Sequence, residues 1–134
     1  MVMKHVKVLT CTTFVAGTSK VVQAFEAQLV VLDEASQTTD ADSLVALLPQ
    51  KKAALLVFSG DIRQPGPVVT SRSAIGNKNA FGSVLECSTM ERLPQRPEIT
   101  RVRLVMNYRC HPDILAAPSA LWYDGMLVSG DLGT

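Results

Sequence analysis

Two stretches of this sequence are apolar at nearly every position, and each stops at an acidic, polar turn. Gln28-Leu29-Val30-Val31-Leu32 closes on Asp33-Glu34, and Ala53-Ala54-Leu55-Leu56-Val57-Phe58 closes on Ser59-Gly60-Asp61. A strand with one wet face alternates apolar and polar residues. A run without alternation reads as a strand buried on both faces, as in a parallel sheet covered by helices. Between the two runs lie Ser43, Leu44, Val45, Leu47 and Leu48, a helical stretch with Asp40 or Asp42 as its cap and Pro49 as its stop. The expected class is α/β, a doubly wound parallel sheet.

Further elements fit that plan. Val6–Thr10 is a β-rich run, and Val102–Met106 is a weaker strand candidate. Phe81–Met90 reads as one helix ending before Pro94. Pro112 suits the first turn of a helix running through Ile114 and Leu115 toward Leu121, which Pro118 should kink or stop. Ile62–Lys78, rich in Gly, Pro and Ser, reads as a loop, as does Leu93–Glu98 with Pro94 and Pro97. The second loop reads as a linker between residues 1–93 and 94–134.

Composition narrows the class. Apolar residues make up 47% of the 134 and charged residues 19%, a globular balance. The net charge of +1 supplies no bulk field for nucleic acid or for an anionic membrane. Three cysteines, Cys11, Cys87 and Cys110, stand without Cys-x-x-Cys spacing, which fits a reducing, intracellular compartment, nucleus or cytoplasm. The first ten residues lack the apolar stretch of a signal peptide, and no apolar run is long enough to span a bilayer.

Chemistry concentrates at the strand ends. In open α/β sheets, ligands bind beyond the carboxyl ends of the strands. A carboxylate such as Asp33 can hold Mg²⁺ through water there, and its neighbour Glu34 can orient or deprotonate a water for in-line attack on a γ-phosphate. Capping of a following helix explains the same pair, and these residues alone leave both readings open. In Ser59-Gly60-Asp61-Ile62-Arg63-Gln64-Pro65-Gly66-Pro67-Val68, Gly60 permits a tight turn, and the Gln64 amide can serve a phosphate oxygen and a water together. In Asn107-Tyr108-Arg109-Cys110-His111-Pro112, Arg109 can present a fixed guanidinium to a phosphate. Cys110 and His111 are adjacent and have no second pair, which argues against a metal site there.

Asp-Glu-Ala-Ser, then Gly-Asp-x-x-Gln-x-x-Pro-Val, then Tyr-Arg-x-His-Pro, in this order, resembles the superfamily 1 nucleic-acid helicases of the senataxin-like and nonsense-mediated-decay type. The resemblance runs from about Val6 to Gly125 and takes in Leu121-Trp122-Tyr123-Asp124-Gly125. It implies a partial RecA-like P-loop NTPase domain over 1–93, then a linker and the start of a second such domain over 94–134. It also implies ATP and Mg²⁺ as cofactors, with single-stranded RNA or DNA as partner. On this likeness Asp33 holds the Mg²⁺ shell and Glu34 polarises the attacking water. Gln64 senses the γ-phosphate, Gly60 and Asp61 form the turn beside it, and Arg109 reaches across the cleft. Thr12, in a stretch similar to a threonine turn touching the nucleic-acid backbone, and Pro67 and Val68, at the end of the third-motif loop, would border the strand path.

The sequence departs from the family's pattern in three places. Pro65 stands where Leu is usual, and Asn107 where Gln is usual. No Gly-x-x-x-x-Gly-Lys-Thr/Ser loop occurs in the 134 residues; Gly17-Thr18-Ser19-Lys20 lacks the upstream glycine and reads as a loop. The expectation is therefore an internal fragment of an ATP-dependent helicase, inactive alone, that needs the missing helicase segments of its parent. A catalytically inactive nucleic-acid-binding or scaffold module is the alternative from another class, and a partly folded remnant is the third.

Overall fold

In the computed structural model, residues 5–70, 81–93 and 96–130 are described. The chain divides between Arg96 and Pro97 into two compact units.

In the first unit, α1 (Thr13–Thr18) and α2 (Lys20–Gln23) lead into strand β1 (Leu29–Leu32), a 3-10 turn (Ala35–Gln37) and α3 (Asp40–Leu47). Strand β2 (Leu55–Phe58) and the short helices α4 (Gly82–Leu85) and α5 (Thr89–Arg92) follow. The two apolar runs pair as parallel strands, Leu29 beside Leu55 through Leu32 beside Phe58. This β–α–β arrangement is the α/β plan expected from the sequence.

A small core of Ala16, Val22 and Ala46, with Leu9 packed on it, ties α1 and α2 to α3. Gly17 lets α1 lie directly on α3, because a Cβ there would overlap the Val45 side chain and sit 3.0 Å from the Val45 carbonyl oxygen. Gly17–Lys20, expected as a loop, is instead the joint of two short helices, with Ser19 closing α1 and capping α2.

Several expected elements are corrected. Among the described residues Val6–Thr10 joins no ladder, and Leu9 packs on the helical core. α3 is capped by Thr39, whose hydroxyl accepts the Asp42 N–H, so Asp40 and Asp42 lie in the first turn, where negative charge suits the helix dipole. The helix expected over Phe81–Met90 breaks in two, because Ser88 starts a new helix with a capping box. Its hydroxyl accepts the Glu91 N–H, and the Glu91 carboxylate accepts the Ser88 N–H. The sheet is less covered than expected: Leu29, Val31 and Leu55 are each more than half exposed. Of the β1 and β2 residues, Leu32 is the buried one. Part of the expected 62–78 loop, beyond Thr70, lies outside the described residues, as do Pro94 and Gln95.

The second unit is also a β–α–β element. Strand β3 (Met106–Asn107) runs parallel to β4 (Val128–Ser129), with α6 (Pro112–Trp122) between them. Only the end of the expected Val102–Met106 strand enters this ladder; Val102 and Leu104 are strongly exposed. Pro112 takes the first helical position as expected, but α6 continues through Pro118. A proline inside a helix forgoes one backbone bond, here the one to the Ile114 carbonyl, and Ile114 is exposed to solvent. Ser119 ties the end of α6 to the turn that follows: its hydroxyl accepts the Leu127 N–H at 3.2 Å and its carbonyl accepts from Tyr123 and Gly125.

Candidate functional site

The acidic turns at the ends of β1 and β2 lock together through their backbones. Ser59 N–H donates to the Leu32 carbonyl at 2.9 Å, and Ala35 N–H returns the bond to the Ser59 carbonyl at 2.8 Å. Ser36, almost fully buried, accepts the Asp61 N–H on its hydroxyl at 3.1 Å. Asp33, Glu34, Gly60, Asp61 and Gln64 are thereby gathered at the carboxyl ends of two adjacent parallel strands.

Gly60 is required by that closeness. A Cβ there would lie 2.9 Å from the Ser36 nitrogen, 3.1 Å from the Ala35 nitrogen and 2.9 Å from Met90 Sδ. Asp61 then organises its own turn: its carboxylate accepts the Arg63 N–H at 2.9 Å and the Gln64 side-chain amide at 3.1 Å.

Asp33 and Glu34 are exposed. Glu34 has left-handed backbone angles, φ 52° and ψ 37°, in a region that non-glycine residues seldom occupy. It makes no capping bond to the 3-10 turn that follows, and Thr39 caps the next helix, so helix capping does not account for this carboxylate. Instead, Gln37 donates its side-chain amide to Glu34 Oε2 at 3.3 Å. Ser36 and Gln37, inside the acidic motif but given no part in the sequence reading, are the residues that shape it. The i, i+3 spacing of Glu34 and Gln37 was the signal available.

The α5 helix is clamped beside this turn. Asp40 accepts from Arg92 Nε at 2.5 Å and Nη2 at 3.1 Å, and from the Thr89 hydroxyl. The Arg92 guanidinium holds the Asp40 carboxyl below its ordinary value; partial burial opposes this, and Thr89 adds to it.

Thr12 is exposed and caps α1, its hydroxyl accepting the Val15 N–H at 3.3 Å. Val68 is strongly exposed, whereas Pro67 is buried, so of that pair Val68 faces solvent. In the second unit Arg109 is exposed, on a turn closed by Asn107. The Asn107 side chain accepts the Arg109 N–H at 3.2 Å and donates to the Cys110 carbonyl at 3.0 Å.

The donor chemistry suits Mg²⁺. That ion keeps several waters and takes one or two carboxylates beside phosphates rather than an all-protein cage. Asp33, an exposed carboxylate at a strand end, has the oxygen donors for such a contact through water. Among the described residues no cluster of three or more His, Cys, Asp or Glu converges on one point.

Comparison with known proteins agrees with this architecture. The family described as "AAA domain" matches residues 1–72, more than half of the chain. The chain is 31% identical to "Regulator of nonsense transcripts 1 homolog" of Neurospora crassa, over 96% of its own length and 11% of that protein's. It is 33% identical to "ATP-dependent helicase upf1" of Schizosaccharomyces pombe, over 92% of its length and 12% of that protein's. The chain belongs to the superfamily 1 helicases of the nonsense-mediated-decay type. The helicase fold of this family is RecA-like, and the parallel β–α–β units agree with it. A further relative, "RNA helicase Mov10l1" of Homo sapiens, is 35% identical over 70% of this helicase chain and 9% of that protein. The chain thus spans about a tenth of the length of the curated relatives it matches. Among the described residues no helix is long and apolar enough to cross a membrane.

Proposed function

We propose that residues 1–134 supply the acidic part of the ATP site, and part of the nucleic-acid path, of an ATP-dependent helicase acting on single-stranded RNA or DNA. One observation carries the reading: the Asp33-Glu34 turn and the Gly60–Gln64 turn are bonded to each other at the ends of adjacent parallel strands. Strand ends of this kind are where α/β sheets bind nucleotides.

In this reading Asp33 holds Mg²⁺ through water, and the bound ion supplies charge neutralisation for the phosphates. Glu34 orients the attacking water and accepts its proton. Gln64, held by Asp61, contacts the γ-phosphate and the water together. Arg109 supplies a guanidinium to the charge that develops on the phosphate. Thr12 and Val68 contact the nucleic-acid backbone, and buried Pro67 shapes the loop that presents Val68. The half-exposed apolar residues of β1 and β2 support a larger assembly, because such runs are buried on both faces in parallel sheets.

A second reading has its own observation. The 134 residues contain no Gly-Lys-Thr/Ser loop, the element that gives backbone N–H groups and a lysine to the phosphates. Taken by itself, the chain then acts as a helicase-derived binding module.

Strand-stimulated ATP turnover tests the first reading, measured in the helicase polypeptide that carries this segment. Glu34→Gln is expected to abolish turnover while nucleotide binding persists. Unchanged turnover would remove Glu34 from the water-activating role. For the isolated chain, single-strand binding that is indifferent to ATP supports the second reading.

A further inference from the structure

Among the described residues the Glu34 side chain has Gln37 as its hydrogen-bond partner, and Gln37 has a fixed place. Ala35 and Ser36, the two residues between Glu34 and Gln37, are buried almost completely. Gln37 N–H donates to the Glu34 carbonyl at 2.9 Å, closing the turn. The Gln37 side chain then reaches back, and Nε2 donates to Glu34 Oε2 at 3.3 Å. Glu34 itself holds left-handed backbone angles at the start of this turn, φ 52° and ψ 37°.

We propose that Gln37 is a positioning residue for Glu34, its amide engaging one carboxylate oxygen so that the other is left to accept a proton from water. The proposal rests on the reading of Glu34 as the water-activating group. It assigns Gln37 a task that helix geometry alone does not require. Gln37 is exposed and lies at the end of a single 3-10 turn, so packing does not explain the choice of an amide there. A neutral amide suits the task. It holds a carboxylate by donating, and it lowers the basicity on which proton transfer depends less than the ion pair of a lysine would.

The mechanism predicts a loss in the chemical step and none in binding. A general base contributes about 10²- to 10⁴-fold, and only while its reach to the proton is held. Gln37→Met keeps the length and shape of the side chain and removes the donor. Gln37→Glu keeps the length and sets a second acceptor against Glu34. In the helicase polypeptide carrying this segment, both are expected to lower kcat at least about tenfold, with KM for ATP within about twofold of the parent. Combined with Glu34→Gln, Gln37→Met is expected to lower the residual turnover no further, since a residue acting through Glu34 has nothing left to position.

A second readout is independent of turnover. In the isotope-labelled chain, the side-chain amide resonance of Gln37 is expected to shift on Glu34→Ala. An unmoved resonance would overturn the proposal. So would kcat retained within twofold in both Gln37 variants while Glu34→Gln loses turnover, and the water-activating reading would then stand alone. If Glu34→Gln itself keeps turnover, that reading and the positioning role fall together.

Discussion

The N–H of Asp61 donates to the buried hydroxyl of Ser36 at 3.1 Å, joining the turn after β2 to the turn after β1. Side chains with different proposed tasks, Glu34 on one turn and Gln64 on the other, are therefore set relative to each other by main chain and one hydroxyl. A disturbance of either turn is transmitted to both.

Gly60 is the tightest point of that junction. In Gly60→Ala the new methyl meets Met90 Sδ, which can swing away, and the Ala35 and Ser36 nitrogens, which cannot. Overpacking of this kind costs about 1–3 kcal/mol. Urea unfolding of the chain is expected to report a loss of that size, and adding Met90→Ala is not expected to restore it. Recovery in the double variant would make the sulfur, not the backbone junction, the limiting contact.

The Asp40–Arg92 pair should make stability depend on acid. The folded carboxyl titrates below its unfolded value, chiefly because of Arg92, so its contribution is complete above the unfolded pKa of about 3.9. It is lost as pH falls through the depressed folded value. The Arg92 side chain is about half exposed, and such pairs contribute up to about 1 kcal/mol. Asp40→Asn is expected to be less stable than the parent by about that amount near neutrality, and the two unfolding curves should converge below about pH 4. A constant gap down to pH 2 would show that the carboxylate's charge plays no part.

The parallel β1–β2 pair was legible because unbroken apolar runs ending in acidic turns have few other uses. Boundaries set by single hydroxyls were less so. Asp40 and Asp42 both read as caps for α3, yet Thr39 took the position and left Asp40 to bind Arg92, a partner 52 residues away. The split at Ser88 was written in the sequence as Ser-x-x-Glu, but it was masked by the apolar residues on either side. The left-handed backbone of Glu34 was not legible, because no local preference of glutamate dictates it. Val6–Thr10 has strand character in its residues, but a ladder needs a neighbour as well as propensity.

Ser43 carries a buried hydroxyl for which the described residues give no hydrogen-bond partner. Removing a lone buried polar group relieves its desolvation cost, and alanine is the better residue inside a helix. Ser43→Ala is expected to stabilise the chain by about 0.5–1 kcal/mol in the same urea measurement. Destabilisation would mean that the hydroxyl has a partner in solution, such as a bound water.

Arg109 offers the sharpest test of the second unit. Its turn is closed by Asn107, which accepts the Arg109 N–H and holds the Cys110 carbonyl, so the backbone presenting the guanidinium is fixed while the side chain stays in solvent. A group used only as charge develops on the phosphate adds little to nucleotide affinity and much to rate. Arginine fingers contribute about 10³- to 10⁵-fold. In the helicase polypeptide carrying this segment, Arg109→Ala is expected to reduce ATP turnover by at least about a hundredfold, with nucleotide affinity within a few-fold of the parent. Arg109→Lys should recover little, because an ammonium lacks the planar fork that binds two oxygens at once. A variant that loses affinity and turnover in equal proportion would place Arg109 in ground-state binding instead. Full turnover in Arg109→Ala would take it out of the site.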